Sequence, residues 1–492
     1  MQEQTSLKNK TIAGLFWSFS DLISKQGINF LIQVILARLL LPKDFGIIGM
    51  ITVFIAISQS FIDSGFSTAL IREKKVSQED YSTVFYFNLV MASVMYIILV
   101  FSADAISSFF NEPQLVAILR VLALILIINS FGLIQRTMLV KKIDFKTQTR
   151  INVISSITSG IIGIAFAYLG YGVWSLVIRM LSMQFILSLL LCLSNKWIPS
   201  LVFKMDSFKR LFGFGWKLLV SGLIDTLYKN IYYVIIGKLF SAIELGYYTN
   251  AQKLRDTASQ SITTSVQRVS YPVLSSINGE NERLRLGYKK ILKNSVFITF
   301  PIMIGLAVIA NPFINLLFGT KWVASIPYFQ VLCFAGMLLP LHAINLNILK
   351  VKGRSDLFLG LEVIKKVIGV TSIGIVLFFK LGIMGLLWTT VLNSYIAYFI
   401  NSYFSAELLS YSTKEQIKNI MPIFIVSVLM GIIVYFSGAV LPDNYFIKLV
   451  VQIFIGVMTY IGISRIAKIE ELKTVYDMIG SVLKRGELVK NR

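Results

Sequence analysis

The sequence predicts an all-α polytopic membrane protein with about 14 transmembrane helices. Two observations support this prediction: apolar residues make up 55% of the 492-residue chain, and long uncharged runs recur along its whole length. Such a composition excludes a soluble globular enzyme. The formal net charge is +22. In a membrane protein the usual cause of such a charge is basic cytoplasmic loops, not nucleic-acid binding.

The predicted spans are long apolar runs separated by turns, many of which contain proline or glycine. The first run follows Lys8 and Lys10, and no small-residue cleavage site closes it. We therefore interpret it as an uncleaved span and not as a signal peptide. In chain order the spans are 11–40, 44–70, 81–108, 115–140, 147–169, 172–194, 208–239, 246–277, 288–310, 325–349, 356–379, 382–406, 417–438 and 444–465.

Basic residues are concentrated in alternate loops, and the loops between these are short and neutral or acidic. The positive-inside rule places the basic set in the cytoplasm, and with it both termini. The basic set contains Arg72, Lys74, Lys75, Lys141, Lys142, Lys146, Lys196, Lys204, Lys209, Arg210, Arg283, Arg285, Lys289, Lys290, Lys293, Lys350, Lys352, Arg354, Lys414 and Lys418.

The segment 246–277 is long enough to cross a bilayer, yet it is mostly polar between Thr249 and Ser270. As a helix it would have one broad polar face, which cannot contact lipid but can border a water-filled cavity. The alternative is a soluble loop. We favour a span because, without it, every later basic loop would lie outside. The predicted apolar face consists of Ala251, Ala258, Ile262, Val266 and Val269.

An internal repeat supports this assignment. The run 36–40 leads to Asp44-Phe45-Gly46, and the run 236–240 leads to Glu244-Leu245-Gly246 at the same spacing. Further weak similarities follow in the same order, at an offset of about 200–210 residues. We predict two six-span bundles in parallel orientation and two extra spans. The predicted boundaries are 1–195 for the first bundle, 196–207 for a cytoplasmic linker, 208–407 for the second bundle, 408–466 for the extra spans and 467–492 for a cytoplasmic amphipathic tail.

Charged residues lie deep in two repeat-related spans. Asp21 and Lys25 are one turn apart in the first span, and Asp225 and Lys229 have the same spacing in the seventh. They either form self-neutralising ion pairs that fix the rotation of each helix, or they contribute to the wall of a polar cavity. Together with the polar second and eighth spans, they predict a central aqueous cavity between the bundles.

Several kinds of chemistry lack the residues that they require. The sequence has no phosphate-binding loop for ATP and no cluster with metal-ligand spacing, so we expect no metal. Cys192 and Cys333 lie in apolar runs and are interpreted as small core residues. His342 is the single histidine. A hydrogen-bonded interior histidine is the favoured interpretation, and a proton relay is the alternative.

The chain resembles the polysaccharide-exporter branch of the multidrug/oligosaccharidyl-lipid/polysaccharide flippase superfamily, in particular the O-antigen and colanic-acid exporters. The resemblance covers nearly the whole length. Its motifs are typical of the family but do not identify a cargo. They are the run 36–46 (LARLLLPKDFG), Asp63-Ser64-Gly65-Phe66 with 69–71, the run 170–176 (GYGVWSL) and the run 244–248 (ELGYY).

This resemblance implies a V-shaped pair of bundles that works by alternating access in the bacterial cytoplasmic membrane. The implied cargo is an undecaprenyl-diphosphate-linked oligosaccharide, moved from the inner to the outer leaflet. The cations would bind the diphosphate, and the hydroxyl, amide and tyrosine side chains would bind sugars. The candidate cavity-lining residues are Lys25, Tyr228, Lys229, Tyr232, Lys253, Gln260, Thr264 and Arg268, and the candidate ion-coupling residues are Asp21, Asp63, Asp225 and Asp256.

The resemblance implies no enzymatic activity and no cofactor other than a coupling cation, Na⁺ or H⁺. The expected partners are the lipid-linked oligosaccharide, membrane lipids, and the polysaccharide polymerase with its chain-length machinery, and no nucleic acid is expected. Two alternatives stay open. One is a cation-coupled multidrug or small-molecule antiporter of the same superfamily, and the other is a membrane-bound polysaccharide polymerase or lipid-sugar transferase.

Overall fold

The computed structural model describes residues 2–477, which fold into 18 α-helices without a β-strand. Side chains are described from Trp17 onward, except at positions 18, 19, 23 and 355. Residues 470–477 are also helical, and the predicted amphipathic tail lies outside the described residues from 478 onward. The first ten helices are α1 (Gln2–Leu39), α2 (Pro42–Asp63), α3 (Phe66–Arg72), α4 (Gln78–Phe110), α5 (Leu115–Leu122), α6 (Leu124–Lys141), α7 (Phe145–Tyr168), α8 (Val173–Asn195), α9 (Met205–Leu239) and α10 (Ala242–Ser276).

The remaining eight α-helices lie between residues 281 and 466. A short 3₁₀ helix (Thr320–Ser325) lies among them. They are α11 (Asn281–Val308), α12 (Ala310–Phe318), α13 (Ile326–Gly336), α14 (Leu339–Val351), α15 (Ser355–Phe378), α16 (Gly382–Leu409), α17 (Thr413–Val440) and α18 (Tyr445–Ile466).

The prediction of an all-α polytopic membrane protein is confirmed. Within residues 2–477, 11 helical segments are long and apolar enough to cross a membrane. The predicted spans that correspond to α9, α10 and α15 are not among them, because charged and polar residues interrupt their apolar character. Each is nevertheless a single helix of 24 or more residues, which at 1.5 Å per residue can span the hydrocarbon core. The exact number of spans stays a prediction.

The second predicted span is not continuous. It is broken between α2 and α3, where Ser64 (φ 44°) and Gly65 (φ 74°) have left-handed backbone conformations. A Cβ atom on Gly65 would lie 2.6 Å from the carbonyl oxygen of Gly215, so glycine is also required by the close approach of α9. The Asp63 carboxylate accepts a hydrogen bond of 2.5 Å from the hydroxyl of Ser67, which lies in the first turn of α3. The Asp63–Phe66 motif therefore encodes a built-in break in the helix.

The chain divides into two compact units, one up to Thr249 and one from Asn250. The first unit contains α1–α9 and the beginning of α10, so α9 packs with the helices that precede it in sequence. The α2–α9 contact includes a hydrogen bond of 3.1 Å between the Ser60 and Thr226 hydroxyls. The predicted boundaries of the two six-span bundles, at residues 195 and 208, are based on sequence similarity. They stay a prediction.

In the first unit, the linker after α8 is held against α4. Arg210 donates to the buried Asp80 carboxylate at 2.6 Å, and Lys204 pairs with Glu79 at 2.5 Å. The Phe66 ring packs against a ring of α9, that of Phe208, with a centroid distance of 5.9 Å. The end of the linker at Lys204 and the start of α9 are thus fixed by charged and aromatic contacts.

We expect Asp80→Ala to destabilise the protein by about 1–3 kcal/mol, because Asp80 also accepts from the Ser77 amide in a capping box. Glu79→Ala is the matched control. Its pair with Lys204 is about half exposed and contributes at most about 1 kcal/mol. Thermal unfolding in detergent should separate the two variants, and equal unfolding temperatures would contradict the structural role of Asp80.

The first unit also contains a backbone contact between the two repeat-related glycines. A Cβ atom on Gly46 of α2 would lie 1.7 Å from the carbonyl oxygen of Ala242. A Cβ atom on Gly246 of α10 would lie 1.9 Å from the carbonyl oxygen of Pro42. The two helices therefore cross with their backbones in contact, at equivalent positions of the repeated motif.

The second unit has a polar core between four helices. The Tyr288 hydroxyl of α11 donates to the Asn345 side-chain oxygen of α14. Ser405 of α16 donates to the same oxygen at 3.1 Å, and Gln416 of α17 packs beside it. All four side chains are fully buried. Because unpaired polar groups are costly in such an interior, this network fixes the mutual positions of the helices.

Candidate functional site

The first charged pair predicted from the sequence is not an ion pair in the structure. Asp21 accepts a hydrogen bond of 3.0 Å from the Asn152 amide of α7. Lys25 interacts electrostatically with both Asp21 and Arg136 of α6, but it forms no salt bridge with Asp21 among the described side chains. The self-neutralising interpretation is therefore wrong for α1. Both residues are half-buried within the first unit.

The second charged pair forms as its spacing predicts. The Lys229 ammonium lies 2.6 Å from the Asp225 carboxylate on α9. The Lys229 side chain is 70% exposed and that of Asp225 41%. A pair with this much exposure contributes only about 0–1 kcal/mol to stability, so the fold does not depend on it.

The tyrosines of α9 differ in accessibility. Tyr228 is half-buried, whereas Tyr232 is 8% exposed and stacks on Tyr248 of α10 at a centroid distance of 6.2 Å. Tyr233 contacts the same Tyr248 ring edge-on at 5.6 Å. Stacking of Tyr232 on a sugar would require its ring to leave Tyr248.

The polar segment of α10 is helical, as the sequence predicts, and most of it lies in the second unit. Lys253 and Gln260 are exposed, and Thr264 and Arg268 are half-buried. These side chains lie on one broad face of the helix. This face presents cations beside hydroxyl and amide groups.

Asp256 is paired with a residue that the sequence analysis did not single out. Arg255 donates to the Asp256 carboxylate through Nε at 2.9 Å and through Nη2 at 2.5 Å. The Arg255 side chain is only 12% exposed. Because the two are sequence neighbours, helical spacing gave no signal for this pair. Asp225 and Asp256 are therefore each neutralised by a residue of the same helix.

The residues of the predicted apolar face of α10 differ in burial. Ala251 is fully buried, but Val269 is 61% exposed. Hydroxyl groups pack inward instead: Ser259 donates to the carbonyl oxygen of Gly336 at 2.6 Å, and Ser270 accepts from the Asn347 amide at 2.8 Å. Small hydroxyl side chains allow close packing and also satisfy buried backbone carbonyls, so polarity along this helix does not by itself mark exposure.

His342 donates to or accepts from the Ser394 hydroxyl at 3.1 Å, as expected for a hydrogen-bonded interior histidine. Within residues 2–477, no group of three or more histidine, cysteine, aspartate or glutamate side chains is arranged to hold a metal ion. The exposed and half-buried side chains of the candidate site are thus rich in cationic and hydroxyl groups. Such groups suit a polyanion that carries sugars.

Comparisons with known proteins identify the family of this chain. The family described as polysaccharide biosynthesis protein matches residues 35–327, more than half of the chain. The chain is 28% identical over 421 residues to the teichuronic acid biosynthesis protein TuaB of Bacillus subtilis, covering 82% of this chain and 84% of TuaB. It is 26% identical over 451 residues to the lipopolysaccharide biosynthesis protein WzxC of Escherichia coli, covering 89% of this chain and 90% of WzxC.

The fold is similar to that of the lipid II flippase MurJ in an inward closed conformation. The TM-score is 0.74 at 16% identity, and the match covers 92% of this chain and 98% of MurJ. The exporter resemblance is thereby confirmed at the level of family and fold. Because the family match covers more than half of the chain, the chain belongs to the polysaccharide biosynthesis protein family.

Proposed function

We propose that this protein is a flippase that moves an undecaprenyl-diphosphate-linked oligosaccharide from the inner to the outer leaflet of the bacterial cytoplasmic membrane by alternating access. The observation that carries the proposal is α10, a helix with a basic, hydroxyl-rich face among apolar membrane helices. The names of the relatives, which concern teichuronic acid, lipopolysaccharide and lipid II, support a lipid-linked glycan as cargo.

The diphosphate is assigned to the cations and the glycan to the neutral polar groups. Lys25, Lys229, Lys253 and Arg268 are the proposed phosphate ligands, because ammonium and guanidinium groups form charge-assisted hydrogen bonds with phosphate oxygens. Gln260, Thr264 and Tyr228 are proposed to bind sugar hydroxyls and ring faces. The prenyl tail stays in the bilayer.

Asp21, Asp63, Asp225 and Asp256 are the proposed coupling residues, with Na⁺ or H⁺ as the coupling ion. Asp225 and Asp256 already have cationic partners, and Asp63 accepts a hydrogen bond from the Ser67 hydroxyl in the first turn of α3. We therefore rank Asp21 first, because it accepts from the neutral Asn152 amide and forms no salt bridge among the described side chains. We also propose that both termini are cytoplasmic and that the polymerase and its chain-length machinery act next to this protein.

The two rival functions fit the structure less well. A cation-exporting antiporter would need an acidic cavity, whereas the exposed face of α10 offers Lys253 and the half-buried Arg268. A polymerase or sugar transferase would need substantial outer loops for its catalytic groups. Among the described residues, the connections on the predicted outer side, such as 111–114, 169–172 and 441–444, are only a few residues long.

The proposal is tested by the leaflet distribution of the lipid-linked oligosaccharide. In cells that lack this protein and have no redundant flippase, we expect the intermediate to accumulate on the inner leaflet, out of reach of an impermeant glycan-modifying reagent. Expression of the wild-type chain should restore modification. Modification at the wild-type level without the protein would show that the transport assignment is wrong.

A further inference from the structure

Three turns of the first unit border an open pocket that contains none of the proposed cargo-binding residues. They are the α1–α2, α4–α5 and α7–α8 turns, and the pocket is a surface cleft with a volume of about 380 Å³. This is within the range of about 300–1,000 Å³ that is usual for small-ligand sites. Its side chains include Asp44, Gln114, Tyr171 and Trp174. The last two belong to the GYGVWSL motif.

The backbone of the α7–α8 turn sets the positions of the aromatic side chains. Gly170 (φ 83°) and Gly172 (φ 52°) have conformations that residues with a side chain rarely adopt. The Tyr171 amide donates to the Phe166 carbonyl at 3.2 Å, and the Trp174 amide donates to the Tyr171 carbonyl at 3.1 Å. The chain thus folds back on itself, and both rings line one pocket.

The aromatic rings are available to a ligand. Tyr171 is 52% exposed, and Trp174 is half-buried. Phe166 contacts the Tyr171 ring at an interplanar angle of 64° and a centroid distance of 5.1 Å. Such an edge contact holds the ring in place without covering both of its faces.

The polar groups of the pocket are an acceptor and an amide. One Asp44 oxygen accepts from the Leu41 amide at 2.9 Å, which fixes the carboxylate at the start of α2. Gln114 is exposed and offers both a donor and an acceptor. The pocket lining contains no lysine or arginine. A phosphate group would therefore meet no cationic side chain of this lining.

Aromatic faces beside a carboxylate and an amide suit a neutral pyranose ring. Its C–H face packs on an aromatic ring, while its hydroxyls bond to carboxylate and amide oxygens. We propose that this pocket binds pyranose units of the cargo glycan on the extracytoplasmic side. The three turns belong to the loops that carry few basic residues, which is why we place the pocket outside. The choice of cargo glycan rests on the proposed function.

The test uses the purified full-length protein in lipid nanodiscs and neutral methyl glycosides of glucose, galactose, mannose and N-acetylglucosamine. Saturation-transfer NMR titrations should detect binding of at least one glycoside. Trp174→Leu should weaken it about tenfold. Gln114→Ala removes an exposed side chain, so it should fold normally and also weaken binding. Trp388→Leu, at a 52% exposed tryptophan of α16, is the matched control and should bind as the wild type does.

Two results would overturn the inference. One is that no glycoside binds, or that the Trp174 and Gln114 variants both bind like the wild type. The other is that Trp174→Leu loses glycoside binding but supports normal leaflet transfer, which would assign the pocket to a finished polysaccharide. The titration needs no transport, so failure of the flippase assignment in the leaflet assay leaves the glycoside result independently readable.

Discussion

Gly46→Ala is expected to destabilise the protein by about 3 kcal/mol or more. The new methyl group would lie 1.7 Å from the carbonyl oxygen of Ala242, and a helix backbone cannot move aside as a flexible side chain can. The gain of about 1 kcal/mol from replacing a helical glycine by alanine is too small to offset this clash. Gly246→Ala should have a similar effect, because its methyl group would lie 1.9 Å from the Pro42 carbonyl oxygen.

Gly222→Ala on α9 is the matched control, since nothing lies within 4 Å of its added Cβ atom. It should leave stability unchanged or raise it by up to about 1 kcal/mol. Thermal unfolding in detergent and the amount of protein in the membrane would report the difference. The Gly46 and Gly246 effects should be less than additive, because both variants open one crossing. Wild-type stability of both single variants would refute the backbone contact.

Lys229→Ala is expected to lower export of the lipid-linked oligosaccharide about tenfold or more, while the protein still reaches the membrane at its normal level. Its pair with Asp225 is exposed and adds little to stability. Loss of a charge-assisted hydrogen bond to a phosphate, by contrast, costs about 1.5–3 kcal/mol. Arg268→Ala should have a comparable effect. Lys217→Ala, at an exposed lysine of the same α9 helix, should export normally.

A charge exchange separates ligand binding from helix fixation. In the double variant Asp225→Lys with Lys229→Asp, the ion pair is retained but the ammonium moves by one helical turn. If the pair only fixed the rotation of α9, the exchange would restore export. If Lys229 binds the diphosphate, export should stay low. Normal export in both the Lys229→Ala and the Arg268→Ala variants would show that neither residue binds the cargo.

The repeat and the polar character of α10 could both be predicted from the sequence, but not the detailed packing. The helical spacing of Asp225 and Lys229 correctly predicted an ion pair on α9. The identical spacing of Asp21 and Lys25 did not correctly predict a second ion pair. Asn152, 131 residues further along the chain, donates a hydrogen bond to the Asp21 carboxylate instead. Spacing within a helix thus states which side chains can meet, whereas tertiary neighbours decide which of them do.

The sequence by itself determined the class of this protein. Long apolar runs require membrane helices, since a helix satisfies its own backbone hydrogen bonds in lipid. The charge alternation of the loops and the repeated motif needed no tertiary information. Only the tertiary structure decided that Gly46 and Gly246 meet, that α9 packs with the preceding helices, and that hydroxyls form the inward face of α10. These are contacts between residues distant along the chain, and their energies depend on close packing that no local pattern records.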